Sequence, residues 1–201
     1  MIQLPDGMMA GGVIAAVRER YSAVAEQPAA GHGFPVGRAF AEAVGYPPSL
    51  LDTLPDAATA FAGVACPVPH AGLGPGESVV DLGCGSGLDS LFAARFVGPI
   101  GHVLGVDFVP AMIARAQRVI AEAGAENVEA RLADAGALPV ESQSIDAVIV
   151  NGIFNLNPDK RALLSEVFRV LRPGGRLVAA EIALRAPLPE GEGRTLDDWF
   201  R

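Results

Sequence analysis

The segment Val79-Val80-Asp81-Leu82-Gly83-Cys84-Gly85-Ser86-Gly87 constrains the fold of this 201-residue chain more than any other. A short apolar run reads as a buried strand, and glycines at 83, 85 and 87 force a turn. Leu88 to Phe96 then has helical spacing. Strand, glycine turn and helix in that order open a parallel sheet covered by helices. The rest of the chain agrees. His102–Asp107 reads as a second strand. Pro110–Ala123 reads as a helix, with Met112, Ile113, Ala116, Val119 and Ile120 on one face and Gly124 as its stop. Val128–Leu132 is a third strand, and Ile145–Val150 a fourth, apolar enough to be buried on both faces. Asp159–Leu171 is a helix with Leu163, Leu164, Val167, Val170 and Leu171 as its core stripe, ended by Pro173-Gly174-Gly175. Arg176–Ile182 is the fifth strand. This alternation predicts an α/β fold with helices on both faces of a parallel sheet.

The first seventy residues read differently. Val13–Ala25 has helical spacing at Val13, Ile14, Val17, Tyr21 and Val24, and Pro28–Gly33 is a linker by composition. Val36–Val44 reads as a short helix ended by Gly45, and Tyr46-Pro47-Pro48 forbids its continuation. Ser49 then caps a turn over Leu50–Leu54, and Asp56–Val64 is an Ala-rich helical stretch. With no strong strand, residues 1–70 form an N-terminal helical cap, 71–185 the sheet domain, and 186–201 a tail or the start of a truncated C-terminal part. Half the chain is apolar and the net charge is −8. That acidity argues against nucleic acid as a partner. The sequence has no apolar run of about 18 residues, which argues against a membrane span. Two cysteines, Cys66 and Cys84, make no disulfide framework and point to a reducing, cytoplasmic setting. His32, His70 and His102 lack metal-ligand spacing, so no metal is expected.

In such sheets ligands sit at the carboxyl ends of the strands. A G-x-G-x-x-G dinucleotide pattern would need glycine at position 88, which is Leu88. Asp81 before the turn would repel a pyrophosphate and suits a cation, such as an ammonium or a sulfonium. The glycines are not followed by Lys-Ser or Lys-Thr, so a P-loop is excluded. Asp107 lies 22 residues after Gly85, where an acidic residue accepts ribose hydroxyls. Asp134, ending the third strand, suits an exocyclic adenine amine. Asn151 ends the fourth strand, followed by Gly152, Ile153, Phe154 and Asn155. Plain structural readings stand beside these. Asp107 could cap the helix at Pro110, and Asp134 could cap a loop. Tyr21 and Phe154 could be core aromatics, and Cys66 a small buried hydrophobe. Asp89 suits the N-terminal turn of its helix through the dipole. His32 or His70 could serve as an acceptor-side base.

Asp81-Leu-Gly-Cys-Gly-Ser-Gly87, Gly105-Val-Asp107 and Leu171-Arg-Pro-Gly-Gly-Arg176 together resemble the class I S-adenosylmethionine-dependent methyltransferases. Further stretches resemble their arsenite methyltransferase branch: Gly45-Tyr46-Pro47, Gly74-Pro75-Gly76-Glu77, Gly87-Leu88-Asp89, Val97-Gly98-Pro99, Asn155-Leu156-Asn157-Pro158-Asp159-Lys160 and Phe168-Arg169-Val170-Leu171. The resemblance implies a Rossmann-like fold and S-adenosylmethionine as cofactor. It implies that Gly83, Cys84, Gly85 and Gly87 line the methionine and ribose portions, with Asp81 near the ammonium. Asp107 would bind the ribose, Phe108 and Met112 would pack on adenine, and Asp134 and Ala135 would hold its edge. Asn151 would sit near the methionyl carboxylate or the acceptor, and Tyr21 would close over the cofactor. The branch's cysteines are replaced: Val64 stands where it has Cys-Gly-Asn-Pro, with Cys66 two positions on, and Gly152 where it has Ser-Asn-Cys.

The implied activity is methyl transfer to a small-molecule acceptor. Arsenite methylation, and cofactor binding without turnover, are the alternatives. Sulfonium is already activated, so the protein chiefly aligns the nucleophile and excludes water. Tyr21, Asn151, Phe154 and Asn155 are the candidate catalytic residues. The family continues past the fifth strand with a helix and a strand pair, whereas this chain stops at Trp199-Phe200-Arg201. That predicts a missing terminal strand pair, and either a shortened form or a partner, such as a second copy in a homodimer, over the open edge.

Overall fold

The computed structural model describes residues 9–183 and 185. The cap holds four helices: α1 (Ala10–Glu26), α2 (Arg38–Ala43), α3 (Pro48–Thr53) and α4 (Pro55–Thr59). A 3-10 turn, Val68–His70, leads to the alternating part: β1 (Ser78–Leu82), α5 (Leu88–Val97), β2 (His102–Asp107), α6 (Pro110–Glu122), β3 (Val128–Leu132), β4 (Ile145–Asn151), α7 (Lys160–Val170) and β5 (Leu171–Ala180). All strand pairs are parallel, in the order β3-β2-β1-β4-β5. The expected Rossmann-like sheet is therefore present. The order turns back at β1, which sits between β2 and β4 and opens a crevice at its carboxyl end.

The period of two along the strands separates two cores. Val79 and Ile149 face the side of α5, α6 and the cap, where they share one cluster with Tyr46, Leu51, Phe61 and Leu88. Val80, Leu82, Val148 and Val150 face the other side, where Leu163, Val167 and Val170 of α7 cover them. Two polar struts fasten the cap. Arg115 of α6 donates to the Ala25 carbonyl at 2.7 Å, the Thr59 hydroxyl at 2.7 Å and the Asp56 carboxylate. Ser86 donates to the Ala57 carbonyl at 2.8 Å.

Several boundaries depart from the sequence expectation. Pro48, not Ser49, opens α3, because a proline at the first helical position presets φ and loses no bonded N–H. α4 ends at Thr59 rather than Val64, because the chain beyond it turns to line a cavity and to bond Asn151. β5 begins at Leu171, five positions early, and Pro173-Gly174-Gly175 lies inside it. The register moves from Ile145↔Leu171 to Ala147↔Arg176, so residues 172–175 form a bulge. Arg176 fixes that bulge by bonding Glu77 and the Ala71 and Gly72 carbonyls. Leu164 is 46% exposed and leaves the α7 stripe. Among the described residues β5 is an edge strand. The expected tail over 186–201 lies outside the described residues.

Candidate functional site

A cavity of about 340 Å³ opens at the carboxyl ends of β1, β2 and β4, with α1 on one side. Its floor is the glycine turn after β1. Gly83 and Cys84 donate to the Val106 carbonyl at 2.7 and 3.0 Å. Gly83 has φ +79, and a Cβ there would stand 2.3 Å from Ile153 Cγ2, so only glycine fits. Asp107, at the end of β2, clamps the turn. One carboxylate oxygen accepts from Gly85 N at 3.0 Å and the other from Val109 N at 2.9 Å. A carboxylate has about four lone-pair sites, so each oxygen keeps one for a ligand.

The electrostatics around this turn are unusual. Burial pushes Asp107 up to about 6, against the pull of its backbone N–H donors. Asp89, in the first turn of α5, is likewise raised by burial to about 6, although Tyr46 and Asn151 donate to it. Asp81 is raised by burial and by the Asp89 charge to about 8, with the Ser90 hydroxyl donating at 2.6 Å. None of the three is ion-paired among the described residues. At neutral pH Asp81 keeps its proton while Asp89 and Asp107 are ionised, and two such charges without an ion-pair partner suit a cationic ligand.

The cavity gathers most of the residues singled out from the sequence. Tyr21, Gly83, Cys84, Gly85, Asp107, Phe108, Met112, Asp134, Ala135 and Asn151 all line it. Tyr21 stacks on Phe34 at 5.6 Å, and burial raises its phenol pKa, so it stays protonated. Arg18 lies 5.5 Å over the Phe108 ring. Asp134 spends one oxygen on Gly136 N at 2.7 Å.

Four expected residues are not on the wall. Asp81 is 1% exposed and lies under the turn, held by Ser90. Gly87 is the N-cap of α5 and packs behind the turn, where its Cβ position is 3.5 Å from Ala116 Cβ. Phe154 packs with the α7 core, and its N–H donates to Glu181 at 2.6 Å. Asn155 bonds the Ile182 carbonyl at 2.7 Å, on the surface. Asn151 is present, but its amide is engaged by protein on both ends.

The sequence reading missed the apolar flank: Ile14 and Val17 of α1, Ala60–Gly63, and Leu156 with Pro158. Helical spacing put Ile14 and Val17 on one face but could not say that this face borders a cavity. It also missed Tyr46 and Glu181. Cys66 lines a separate cavity of about 510 Å³ beside β5, with His70, and its thiol is pushed up by burial to about 12. Burial raises the Cys84 thiol as well. His32 bonds the Gln27 carbonyl at 3.0 Å and is not on the cavity wall. Among the described residues no cluster of three or more His, Cys, Asp or Glu could hold a metal ion, and no helix is long and apolar enough to cross a membrane.

The lining fits a cationic nucleoside. The glycine turn is open to a close-lying ligand, Asp107 keeps acceptor capacity, and Phe108 and Ala135 add half-buried apolar surface to the wall. Comparison with known proteins agrees. Residues 73–201 match the family described as "Methyltransferase domain". The chain is 43% identical over 149 residues to an arsenite methyltransferase of Halobacterium salinarum, covering 74% of this chain and 38% of that protein. It is 40% identical over 106 residues to a demethylmenaquinone methyltransferase of Lactococcus lactis, covering 53% and 42%. The crystal structure of an arsenic(III) S-adenosylmethionine methyltransferase from Chlamydomonas reinhardtii superposes with a TM-score of 0.60 at 34% identity, over 78% of this chain and 52% of that one. The chain thus spans about two fifths of the length of these curated relatives. Fold, glycine turn and sequence match agree that the chain belongs to the class I S-adenosylmethionine-dependent methyltransferases.

Proposed function

We propose that this chain binds S-adenosylmethionine in the cavity and passes its methyl group to a small-molecule acceptor. The observation that carries this is the glycine turn clamped by Asp107 beside two buried carboxylates, Asp81 and Asp89, that have no ion-pair partner among the described residues. The bound cofactor supplies a methyl group already activated on a cationic sulfur. The rest is the protein's work. Asp107 accepts the ribose hydroxyls with its remaining lone pairs. Phe108 and Met112 pack on the base, and Asp134 with Ala135 borders its edge. Tyr21 and α1 close the cavity and exclude water. Asn151 shapes the wall and leaves the methionyl carboxylate to other donors. In this reading residues 1–70 are a cap over the acceptor, and 71–185 hold the cofactor. The reduced thiols suit a cytoplasmic setting, and a homodimer would pair on β5, an edge strand among the described residues.

Each aspartate on the wall already accepts a backbone N–H: Asp107, Asp134 and Asp159. Arsenite is the second reading, favoured by the 43% identical relative. The test is direct. The chain is titrated with S-adenosylmethionine by calorimetry, then assayed for S-adenosylhomocysteine with arsenite and with neutral organic acceptors. No binding overturns the proposal. Binding without product from any acceptor assigns the cavity to cofactor holding alone. Arsenite turnover would favour the second reading.

A further inference from the structure

The cap and the sheet meet in a closed polar network. Tyr46, 1% exposed at the turn between α2 and α3, donates its hydroxyl to Asp89 Oδ1 at 2.6 Å. Asn151 Nδ2 lies 2.8 Å from Asp89 Oδ2, 2.9 Å from the Ala65 carbonyl and 3.1 Å from the Tyr46 hydroxyl. Its Oδ1 accepts from Val64 N at 2.8 Å and Ala65 N at 3.3 Å. The contact is close. A Cβ on Gly63 would stand 2.5 Å from Asn151 Nδ2, and one on Gly152 would stand 3.2 Å from Val64 Cγ1. Residues 60–63 and 151–153 are adjoining parts of the cavity wall.

The network has a direction. An ionised carboxylate only accepts, so Asp89 requires the NH₂ end of Asn151. That turns the amide oxygen toward the loop, where two backbone N–H groups need it. If Asn151 were reversed, its NH₂ would face the Val64 and Ala65 N–H groups, and the loop would lose both bonds.

We propose that Tyr46 and Asp89 are positioning residues: they set the amide orientation of Asn151, which anchors Val64 and Ala65 and thereby holds the preceding residues, Ala62 and Gly63, as the wall against which cofactor and acceptor are aligned. This rests on the cofactor reading of the cavity, and the test separates the two. Asp89→Asn leaves one acceptor oxygen where two donors, the Tyr46 hydroxyl and the Asn151 NH₂, now bond a carboxylate, so one of those bonds is lost in either orientation of the new amide. Tyr46→Phe removes one donor but keeps the ring packed on Phe61 at 4.8 Å, so it tests the network with little risk to folding. Amide hydrogen exchange at Val64 and Ala65, read by NMR, should quicken about tenfold or more in Asp89→Asn and less in Tyr46→Phe, with β1 and β2 amides unchanged. The dissociation constant for S-adenosylmethionine should rise about tenfold in Asp89→Asn. The double variant Asp89→Asn with Asn151→Asp restores a donor facing an acceptor, and should recover part of both effects. A simple loss of packing would not be recovered by that swap. Unchanged exchange at Val64 and Ala65 in both single variants, or a double variant no better than Asp89→Asn, overturns the proposal. A wild-type chain that does not bind S-adenosylmethionine overturns the functional reading instead, while exchange still reports on the network.

Discussion

The two walls of the cavity are built in opposite ways. The wall on β1 and β2 is local and made of backbone: a glycine turn bonded to Val106 and clamped by Asp107 on the neighbouring strand. The wall on β4 is assembled from a distance. Asn151 lines it, and Asp89, Tyr46 and the loop at 64–65, from three other places in the chain, hold Asn151 from behind. The first wall follows from any parallel strand pair with glycines at its end. The second exists only once the cap has docked. The first should therefore tolerate little change, and the second should fail in a graded way.

The largest expected effect is on the backbone wall. Gly83→Ala combines a left-handed φ of +79 with a Cβ 2.3 Å from Ile153 Cγ2. It should cost about 2–4 kcal/mol of unfolding free energy in a urea titration. Adding Ile153→Ala relieves the clash but not the dihedral, so it should return only part of that loss. Full recovery would mean that crowding alone requires the glycine. Asp107→Ala comes next. It removes the clamp on Gly85 and the ligand acceptor together, and should weaken cofactor binding by about 1–3 kcal/mol in calorimetry. Equal affinity in the variant would show that the floor of the cavity does not need its clamp, and the contrast between the walls would collapse.

Smaller, and shared by both walls, is a pH effect. Asp107 lies on the backbone wall, Asp89 behind the distant one through Asn151, and Asp81 under the glycine turn. Their folded pKa values are raised to about 6, 6 and 8. A carboxyl with a raised pKa binds its proton more tightly in the folded state. Its contribution to stability is complete below the ordinary carboxylate range and is lost as pH rises through the folded value. For these three the loss runs from about pH 4 to about pH 8. A cationic ligand favours the ionised forms, so S-adenosylmethionine should bind more tightly, by about tenfold, between pH 5 and pH 8. Calorimetry in buffers of different ionisation enthalpy should show proton release on binding. S-adenosylhomocysteine, without the sulfonium charge, should give a shallower pH profile. Equal slopes for the two would mean that the sulfonium does not sense these carboxylates.

The same contrast explains what can be read from the sequence. β2 and β3 fall on the expected residues because short apolar runs between glycines and charges have few other options. Asp107 is legible from its spacing after Gly85, a distance within one strand-turn-helix unit. Asn151 is legible from its place at a strand end, but its partners lie 62, 86, 87 and 105 residues away, and no local pattern encodes them. Asp89 reads only as a dipole partner, because its burial depends on a tyrosine in another element. The start of β5 escapes for a related reason. Pro173-Gly174-Gly175 signals a break, and only the neighbouring strand decides whether that break ends a strand or bulges one.

The smallest expected effect bears on the acceptor. Cys66 follows the loop that carries the distant wall, yet it faces the second cavity beside β5 and not the site. Its thiol, pushed up to about 12, is protonated at neutral pH and is a poor ligand for a soft thiophile. Cys66→Ser keeps the size and changes the polarity of a buried position. It should cost about 1 kcal/mol of stability and leave S-adenosylmethionine affinity within about twofold. If the wild-type chain methylates arsenite, the rate should also survive this substitution, because the cavity that holds the cofactor does not reach the sulfur. A specific loss of arsenite turnover, with cofactor affinity intact, would show that the loop at 62–66 swings during the reaction and brings Cys66 into the site. The pinned wall would then be a moving part, and the contrast between the two walls would become one between a fixed floor and a gate.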